Sequence, residues 1–165
     1  MPDAYIGVGS NVDRKRSIAF ALRVLSEQFG PLAVSSVYES EAVGFVGDPF
    51  FNLVVGVRTS MAVFDVAARL AAIEREAGRI RGVEKFSARR LDLDLLLYGS
   101  TVLQSGGLRI PRDDITRYAF VLEPLSEVAP DVNHPVLGQS FATLWQRFDK
   151  RGVQQRRLDF APLAN

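Results

Sequence analysis

The segment RRLDLDLL, residues 89–96, places two carboxylates two positions apart directly behind a run of basic residues. Asp92 and Asp94 alternate with three leucines. Successive side chains of a β-strand point to opposite faces, with a rise of roughly 3.3 Å per residue. The pattern therefore predicts both carboxylates on one face, about 6.5–7 Å apart, and the leucines in the core.

Two like charges at this separation repel each other unless a cation or several hydrogen-bond donors neutralise them. The preceding segment supplies five basic side chains: Arg79, Arg81, Lys85, Arg89 and Arg90. One interpretation is a set of ion pairs on the sheet surface. The other is carboxylates that hold Mg²⁺ beside guanidinium groups that hold phosphate, which is typical of phosphoryl transfer. Neither G-x-x-x-x-G-K-[ST] nor a strand followed by G-x-G-x-x-G occurs, so a nucleotide site would need another scaffold.

The composition limits the classes of protein and of site. The chain has 165 residues, 47% of them hydrophobic, which predicts a single domain over 1–165. A net charge of +1 argues against an electrostatic nucleic-acid binder, and the local basic segment favours a small anionic ligand. With no cysteine and only His134 among histidines, a divalent ion would need oxygen ligands. We see neither a signal sequence nor a run of membrane-spanning length, and we expect a cytoplasmic protein without a membrane partner.

Hydrophobic periodicity predicts alternating strands and helices. The predicted strands are Ala4–Gly9, Leu32–Tyr38, Phe50–Arg58 and Leu91–Tyr98. The predicted helices carry Ile18 to Phe29, with Gly30 and Pro31 as the stop, and Val63 to Gly78, with a last helix near Ser140–Phe148. Gly9, Ser10 and Asn11 are expected to form a turn and a helix N-cap. Residues 41–49 are expected to form an apolar loop that is a lid or a pocket wall, and residues 79–90 a basic loop. The β-α-β-β-α-β order predicts a ferredoxin-like α+β sandwich with additional C-terminal helices.

The segment KFSARRLDLDLL resembles the signature of the 6-hydroxymethyl-7,8-dihydropterin pyrophosphokinase family, in which an arginine precedes D-x-D by three residues. YIGVGSN, SVYES, FFNLVVGV, IPRDDITRYAFVLEPL and SEVAPD follow the family's order, so the resemblance covers about residues 4–131. It implies a ferredoxin-like fold, two magnesium ions and transfer of pyrophosphate from ATP. The acceptor implied is the hydroxymethyl group of a reduced pterin, a step of folate biosynthesis.

The resemblance also implies roles for individual residues. Asp92 and Asp94 fall where the family coordinates both metals. Arg79 and Arg81 lie in a mobile loop that closes over the triphosphate, and Arg89 clamps phosphate. The remaining residues assigned to the ATP phosphates are Arg112 and Arg117.

The pterin pocket implied by the resemblance has five residues. Asn52 reads the edge of the pterin and Phe120 stacks on its ring. Ser40, Val43 and Phe50 fall beside the pocket.

The chain departs from the family pattern on the triphosphate side. Arg112 replaces the usual histidine after the proline of IPR, and Tyr118 replaces an arginine two positions before Phe120. Phe86 stands where the signature has tryptophan. Arginine can still bind phosphate, although it cannot donate a proton near neutral pH.

Structural interpretations stand beside the functional ones. Asn52 could bond the 41–49 loop, and Phe120 could belong to the core. His134 is expected to be structural or solvated, Trp145 to pack a C-terminal helix, and Arg156 and Arg157 to lie in a solvated tail.

Two alternatives to the pyrophosphokinase stay open. One is a paralogue that uses the same metal–ATP site on a different acceptor. The other is a non-catalytic module that binds a nucleotide or pterin. In the leading interpretation the protein is a monomer whose partners are ATP and the reduced pterin, with no nucleic acid.

Overall fold

The computed structural model describes residues 1–41, 48–81 and 91–159, without the side chains of residues 79–81. Its strands are β1 (Asp3–Ser10), β2 (Ala33–Val34), β3 (Tyr38–Ser40), β4 (Phe50–Arg58), β5 (Asp92–Tyr98), β6 (Leu103–Ser105), β7 (Leu108–Ile110) and β8 (Gln155–Arg157). Its helices are α1 (Arg14–Phe29), α2 (Val63–Arg81), α3 (Asp114–Arg117), α4 (Ala119–Val128) and α5 (Phe141–Arg147). The described chain is thus a mixed α+β fold.

The main sheet has the strand order β5-β1-β4-β3-β8, with β2 also paired to β4, and every pair in it is antiparallel. Gly9 of β1 lies opposite Asn52 of β4 on one side and Asp92 of β5 on the other. Residues in one row of a sheet present their side chains to the same face. The register therefore brings an amide and a carboxylate from distant parts of the sequence to one face.

Each face of the sheet carries its own hydrophobic core. The cluster that contains the apolar side chains of α1 and α2 also includes Leu91, Leu93 and Leu95, as the alternation predicts. The cluster on the other face joins Val54 and Leu96 to side chains of α3, α4 and α5. In the part of the chain that the structure describes, no helix is both long and apolar enough to cross a membrane.

The end of the first helix and the bounds of the third predicted strand are as expected. β4 runs from Phe50 to Arg58. In α1 the residues at helical spacing are buried, and the helix ends at Gly30, whose φ of 84° is readily adopted by glycine. Both local predictions are confirmed.

The predicted end of the second helix is wrong, because α2 continues past Gly78 to Arg81. The backbone of Arg79 and Arg81 is therefore helical and does not belong to a loop. Arginine is a good helix former, so the cost of about 1 kcal/mol for an interior glycine does not end the helix here.

The predicted strand Leu32–Tyr38 is divided into β2 and β3. At the break, Ser35 Oγ accepts a hydrogen bond from Val54 N at 2.9 Å, and Ser35 N donates to Val54 O at 3.0 Å. A side chain thus replaces part of the strand ladder, since a serine hydroxyl competes with the backbone for such bonds.

The start of α1 also differs from the prediction. Ser10 remains in β1, and α1 follows Asp13, which has a positive φ of 46°. The Val12 carbonyl accepts bonds from the hydroxyls of Ser10 and Ser17, at 3.1 and 2.8 Å. These bonds hold the turn, and the N-cap position belongs to Asp13, not to Gly9, Ser10 or Asn11.

The C-terminal arginines are exposed to solvent, but they lie in a strand and not in a tail. Arg156 and Arg157 belong to β8, which pairs with β3, and Arg156 forms an ion pair with Glu39 at 3.2 Å. A strand of three residues is too short to be recognised from the alternation of hydrophobic and polar residues. The prediction of a tail is wrong for this segment, whereas the expected solvation of the two side chains is confirmed.

His134 is a buried structural residue whose Nδ1 accepts hydrogen bonds from the backbone N–H groups of Val136 and Leu137, each at 3.1 Å. Burial lowers the pKa of His134 below its ordinary value. The unfolded chain therefore binds the proton more readily, and the associated stability is present above about pH 6.5 and lost as the pH falls.

We expect a His134→Asn variant to lose this part of the pH dependence. An asparagine side chain can accept from the same two N–H groups but does not titrate. Thermal unfolding of both proteins between pH 5 and pH 7 tests this, and a parallel decline of both curves would contradict it.

Candidate active site

A cavity of about 410 Å³ lies between the sheet face that carries Asn52 and Asp92 and the helices α3 and α4. This volume is in the range of small-molecule sites. The lining combines carboxylates, an amide, a guanidinium group and aromatic rings. Its residues are Gly7, Val8, Gly9, Ser40, Phe50, Asn52, Leu53, Val54, Asp92, Asp94, Leu96, Arg112, Asp114, Tyr118, Phe120 and Val121.

The Asp pair stands at one end of the β5 lining. Asp92 and Asp94 alternate with buried leucines and are only half-buried, so both carboxylates face the cavity. The Leu93 N–H between them donates to Glu74 Oε2 of α2 at 2.9 Å. The sequence-based prediction that the two aspartates lie on one face of the strand and the leucines on the other is confirmed.

Arg112 lies among three carboxylates. Its Nη2 is 3.7 Å from Asp94 Oδ1, and its Nε is 3.3 Å from Asp114 Oδ2. Partial burial by itself lowers the pKa of Arg112, but the charges of Asp94, Asp114 and Asp92 outweigh it and raise the pKa. Arg112 therefore stays charged and offsets part of the repulsion within the Asp pair. Its backbone is held by a 3.0 Å bond from Arg112 N to Leu96 O.

The other end of the cavity contains the predicted polar pair of the pterin pocket. Asn52, 7% exposed, donates from Nδ2 to Ser40 Oγ at 2.7 Å. Its described partner is thus a strand residue of β3, and Phe50 lines the same wall. A Cβ added to Gly9 would lie 3.0 Å from Asn52 Oδ1, so the absence of a side chain there makes room for the amide.

Two aromatic rings close the cavity from the helical side. Tyr118 and Phe120 stack with centroids 4.9 Å apart and an interplanar angle of 20°. Phe120 is half-buried: it packs against the second core and also lines the cavity. The two interpretations of Phe120, core residue and cavity wall, therefore apply together.

Of the predicted site residues, one does not line this cavity, and four lie wholly or partly outside the described part of the chain. Arg117 is exposed on α3 and is not part of the described lining. The side chains of Arg79 and Arg81, and the whole of Val43 and Arg89, lie outside the described part of the chain.

Sequence reasoning missed Asp114 and gave no site role to Tyr118. The signal for Asp114 was available in RDD, since a carboxylate two residues after Arg112 can pair with it. Tyr118 was recognisable only as a departure from the family pattern, because an isolated tyrosine carries no pocket signal. Leu96 and Val121 add apolar lining that cannot be told from core residues by periodicity.

The residues present fit magnesium as oxygen ligands. Within the described residues, no group of three or more His, Asp or Glu side chains forms a closed metal site. Mg²⁺ is usually held by one or two carboxylates together with water and substrate phosphates. Asp92 and Asp94, open to the cavity on one face, match that donor set without a third protein ligand.

The curated relatives include both short and long proteins. The chain is 35% identical over 138 residues to the 2-amino-4-hydroxy-6-hydroxymethyldihydropteridine pyrophosphokinase of Aquifex aeolicus, covering 82% of this chain and 86% of that protein. It is 36% identical over 135 residues to the Pseudomonas aeruginosa protein of the same name, covering 79% and 83%. It is also 35% identical over 146 residues to folic acid synthesis protein fol1 of Pneumocystis carinii, where it spans 87% of this chain but only 20% of the relative.

The fold of this chain is also similar to that of a solved structure. The HPPK-DHPS triple mutant of Plasmodium falciparum with STZ-DHP superposes with a TM-score of 0.73 at 14% identity. The match covers 91% of this chain and 44% of that one. At this identity the similarity concerns the fold alone.

The family comparison covers the sheet and the cavity. The model of the 7,8-dihydro-6-hydroxymethylpterin-pyrophosphokinase (HPPK) family matches residues 5–130, which include every cavity-lining residue. The relatives from Aquifex and Pseudomonas match over most of both chains. The chain therefore belongs to the 7,8-dihydro-6-hydroxymethylpterin-pyrophosphokinase family and is an ATP-dependent pyrophosphokinase.

Proposed function

We propose that the cavity is the active site at which this chain performs the family's reaction. The reaction transfers pyrophosphate from ATP to the hydroxymethyl group of 6-hydroxymethyl-7,8-dihydropterin, a step of folate biosynthesis. The assignment rests on the observation that the Asp92–Asp94 pair lines the same cavity as Asn52 and Phe120. A metal–phosphate end and a flat-ring end are thereby placed next to each other, as a two-substrate transfer requires.

At the phosphate end, Asp92 and Asp94 would hold two magnesium ions. When bound, magnesium would neutralise charge that develops on the phosphate oxygens. Arg112 points into the same end and supplies a permanent positive charge. Arg79, Arg81 and Arg89 complete the phosphate contacts in this proposal, with Arg117 as a peripheral member of the set.

At the ring end, Asn52 reads the edge of the pterin. The Asn52 amide is buried, and its Nδ2 donates a hydrogen bond to Ser40. The orientation of the amide N–H and C=O groups is therefore fixed before the pterin binds. Phe120 offers a ring face for stacking, with Tyr118 stacked behind it. Phe50 and Val43 complete the pocket in this proposal.

The chain's own residues act by binding and orientation. The hydroxymethyl oxygen attacks the β-phosphorus and releases its proton to solvent, the bond from that phosphorus to the oxygen that bridges to the α-phosphate breaks, and AMP leaves with that oxygen. The ring wall fixes the oxygen, and the charged end fixes the triphosphate, so the barrier is lowered mainly by alignment and charge.

The test is AMP release from ATP with magnesium, in the presence and absence of 6-hydroxymethyl-7,8-dihydropterin. We expect AMP in amounts equal to the pyrophosphorylated pterin, and none above background without the acceptor. AMP release at the same rate with and without the pterin would indicate that another molecule accepts the pyrophosphate. Pterin binding without AMP release would point to a binding module.

Phe120→Ala is expected to weaken pterin binding roughly tenfold to hundredfold, because base-like stacking contributes about 1–3 kcal/mol. The readout is the dissociation constant of the acceptor, measured through pterin fluorescence. Phe148→Ala is the matched control, since Phe148 packs on the same core and stacks on Trp145 but does not line the cavity. Equal pterin affinities of the Phe120 variant and the wild type would show that the Phe120 ring does not contact the bound pterin.

The finer description of the fold is also a proposal. The order β5-β1-β4 followed by β3 and β2, with α1 and α2 on one face, supports a ferredoxin-like core with C-terminal additions. A single domain over 1–165 and a monomeric state belong to the same proposal. Sedimentation of the full chain, with and without an ATP analogue, tests the oligomeric state.

A further inference from the structure

The C-terminal strand β8 lies beyond the segment that the family model matches, yet it is paired to the pterin-binding wall. The match ends at residue 130, and β8 comprises Gln155–Arg157. Gln155 lies opposite Ser40 of β3, the residue that accepts the bond from Asn52. Because they share a row, Gln155 and Ser40 face the same side of the sheet.

The Gln155 side chain links this strand to the helix that carries Phe120. Its Nε2 donates to Ala119 O at 3.2 Å and to Glu123 Oε1 at 2.7 Å. Ala119 immediately precedes Phe120 in the first turn of α4. The residue therefore joins the two walls of the ring end, the Ser40–Asn52 wall and the Phe120 wall.

The opposite face of β8 is linked to a third part of the same end. Arg156 pairs with Glu39 Oε1 at 3.2 Å, and Arg14 pairs with Glu39 Oε2 at 3.0 Å. The same Arg14 nitrogen donates to Pro49 O at 3.0 Å. Pro49 directly precedes the cavity residue Phe50 in the sequence. Both faces of the short strand are thus connected to residues that border the acceptor pocket.

We propose that Gln155 is a positioning residue for the acceptor, which sets the separation of Phe120 from the Ser40–Asn52 pair through β8. The proposal rests on the proposed function, because it takes the ring end of the cavity as the pterin pocket. Gln155 is not part of the cavity lining, so it acts through Phe120 and Ser40. Its effect should appear in acceptor binding and not in nucleotide binding.

The matched control is a bond between α4 and β3, the strand that β8 pairs with. Tyr38 Oη donates to Glu127 Oε1 at 2.9 Å, in the last turn of α4 and far along the helix from Phe120. Tyr38→Phe removes a bond between α4 and the neighbouring strand β3 without touching the first turn of the helix. A general loosening of α4 would move both variants alike.

The experiment measures the acceptor dissociation constant without nucleotide, together with the KM values of both substrates. We expect Gln155→Leu to raise the acceptor dissociation constant and KM roughly threefold to tenfold, with the KM for ATP unchanged. Tyr38→Phe should lower the melting temperature but leave the acceptor constants unchanged. Equal effects of the two variants, or equal increases of both KM values, would overturn the proposal.

A donor–acceptor exchange provides the second, independent arm. Gln155→Glu places a carboxylate against Glu123 and should weaken acceptor binding further. Combining it with Glu123→Gln restores one donor and one acceptor and should recover most of the affinity. Failure of this rescue in folded protein would overturn the proposal. A wild-type chain that binds no pterin would instead refute the assignment of the pocket, and the positioning role with it.

Discussion

Asp92→Asn and Asp94→Asn variants are expected to lose at least about a thousandfold in kcat and to remain folded. The loss corresponds to about 4 kcal/mol of transition-state stabilisation from charge held at the phosphates. The fold should tolerate the change because both side chains are half-buried and face the cavity, while the leucines that alternate with them make the core contacts. The Asp94–Arg112 pair, 3.7 Å apart and about 40% exposed on each side, contributes little to stability.

The measurements are single-turnover AMP release, and Mg²⁺ or Mn²⁺ binding in the presence of a non-hydrolysable ATP analogue. Asp3→Asn is the matched control, since Asp3 is an exposed strand carboxylate paired with Arg58 at 3.1 Å and lies outside the cavity lining. Wild-type activity in either Asp variant, or unchanged metal binding in both, would contradict the metal role. Unfolding of the variants would assign the pair to the stability of the sheet.

Arg112→Ala should slow turnover roughly tenfold to hundredfold, because one charge-assisted contact contributes about 1.5–3 kcal/mol. Arg112→His should retain substantial activity. Arginine cannot release its proton near neutral pH, and the raised pKa of Arg112 makes release still harder. If the position mainly supplies positive charge to the triphosphate, either residue can serve, as the dependence of phosphoryl transfer on electrostatics suggests.

Arg109→Ala is the matched control for Arg112. Arg109 is an exposed arginine of β7 that pairs with Asp113 at 3.2 Å and does not line the main cavity. The kcat and KM for ATP of the three variants separate the alternatives. Unchanged kinetics in Arg112→Ala would show that the guanidinium group serves only Asp94 and Asp114. Inactivity of the wild type with full activity of Arg112→His would instead identify a proton donor at this position.

Local sequence signals were sufficient where one kind of periodicity persisted over several residues. The nine-residue apolar strand β4 and the amphipathic α1 are such cases. The signals failed where a side chain replaced backbone pairing, as Ser35 does between β2 and β3. They gave no bounds for α4, which contains Pro124, because proline ordinarily argues against a helix interior.

The candidate site could be predicted from the sequence in part. The alternation around Asp92 and Asp94 fixed their common face, and an amide in an apolar strand singled out Asn52. Its partner Ser40 is twelve positions away, and the pairing depends on strand register that no local pattern specifies. The link from Gln155 to α4 joins residues even farther apart in the sequence, so only the folded chain reveals it.

The Glu74–Leu93 bond has a consequence for association between chains. β5 is the outer strand of the sheet, and an outer strand with free N–H groups can pair with another polypeptide and start aggregation. Glu74 occupies the Leu93 N–H with a carboxylate, so an approaching strand would have to displace and desolvate a charge. The opposite border, β8, is only three residues long and contains two arginines, Arg156 and Arg157. Within the described part of the chain, these features make β5 and β8 poor templates for cross-β growth.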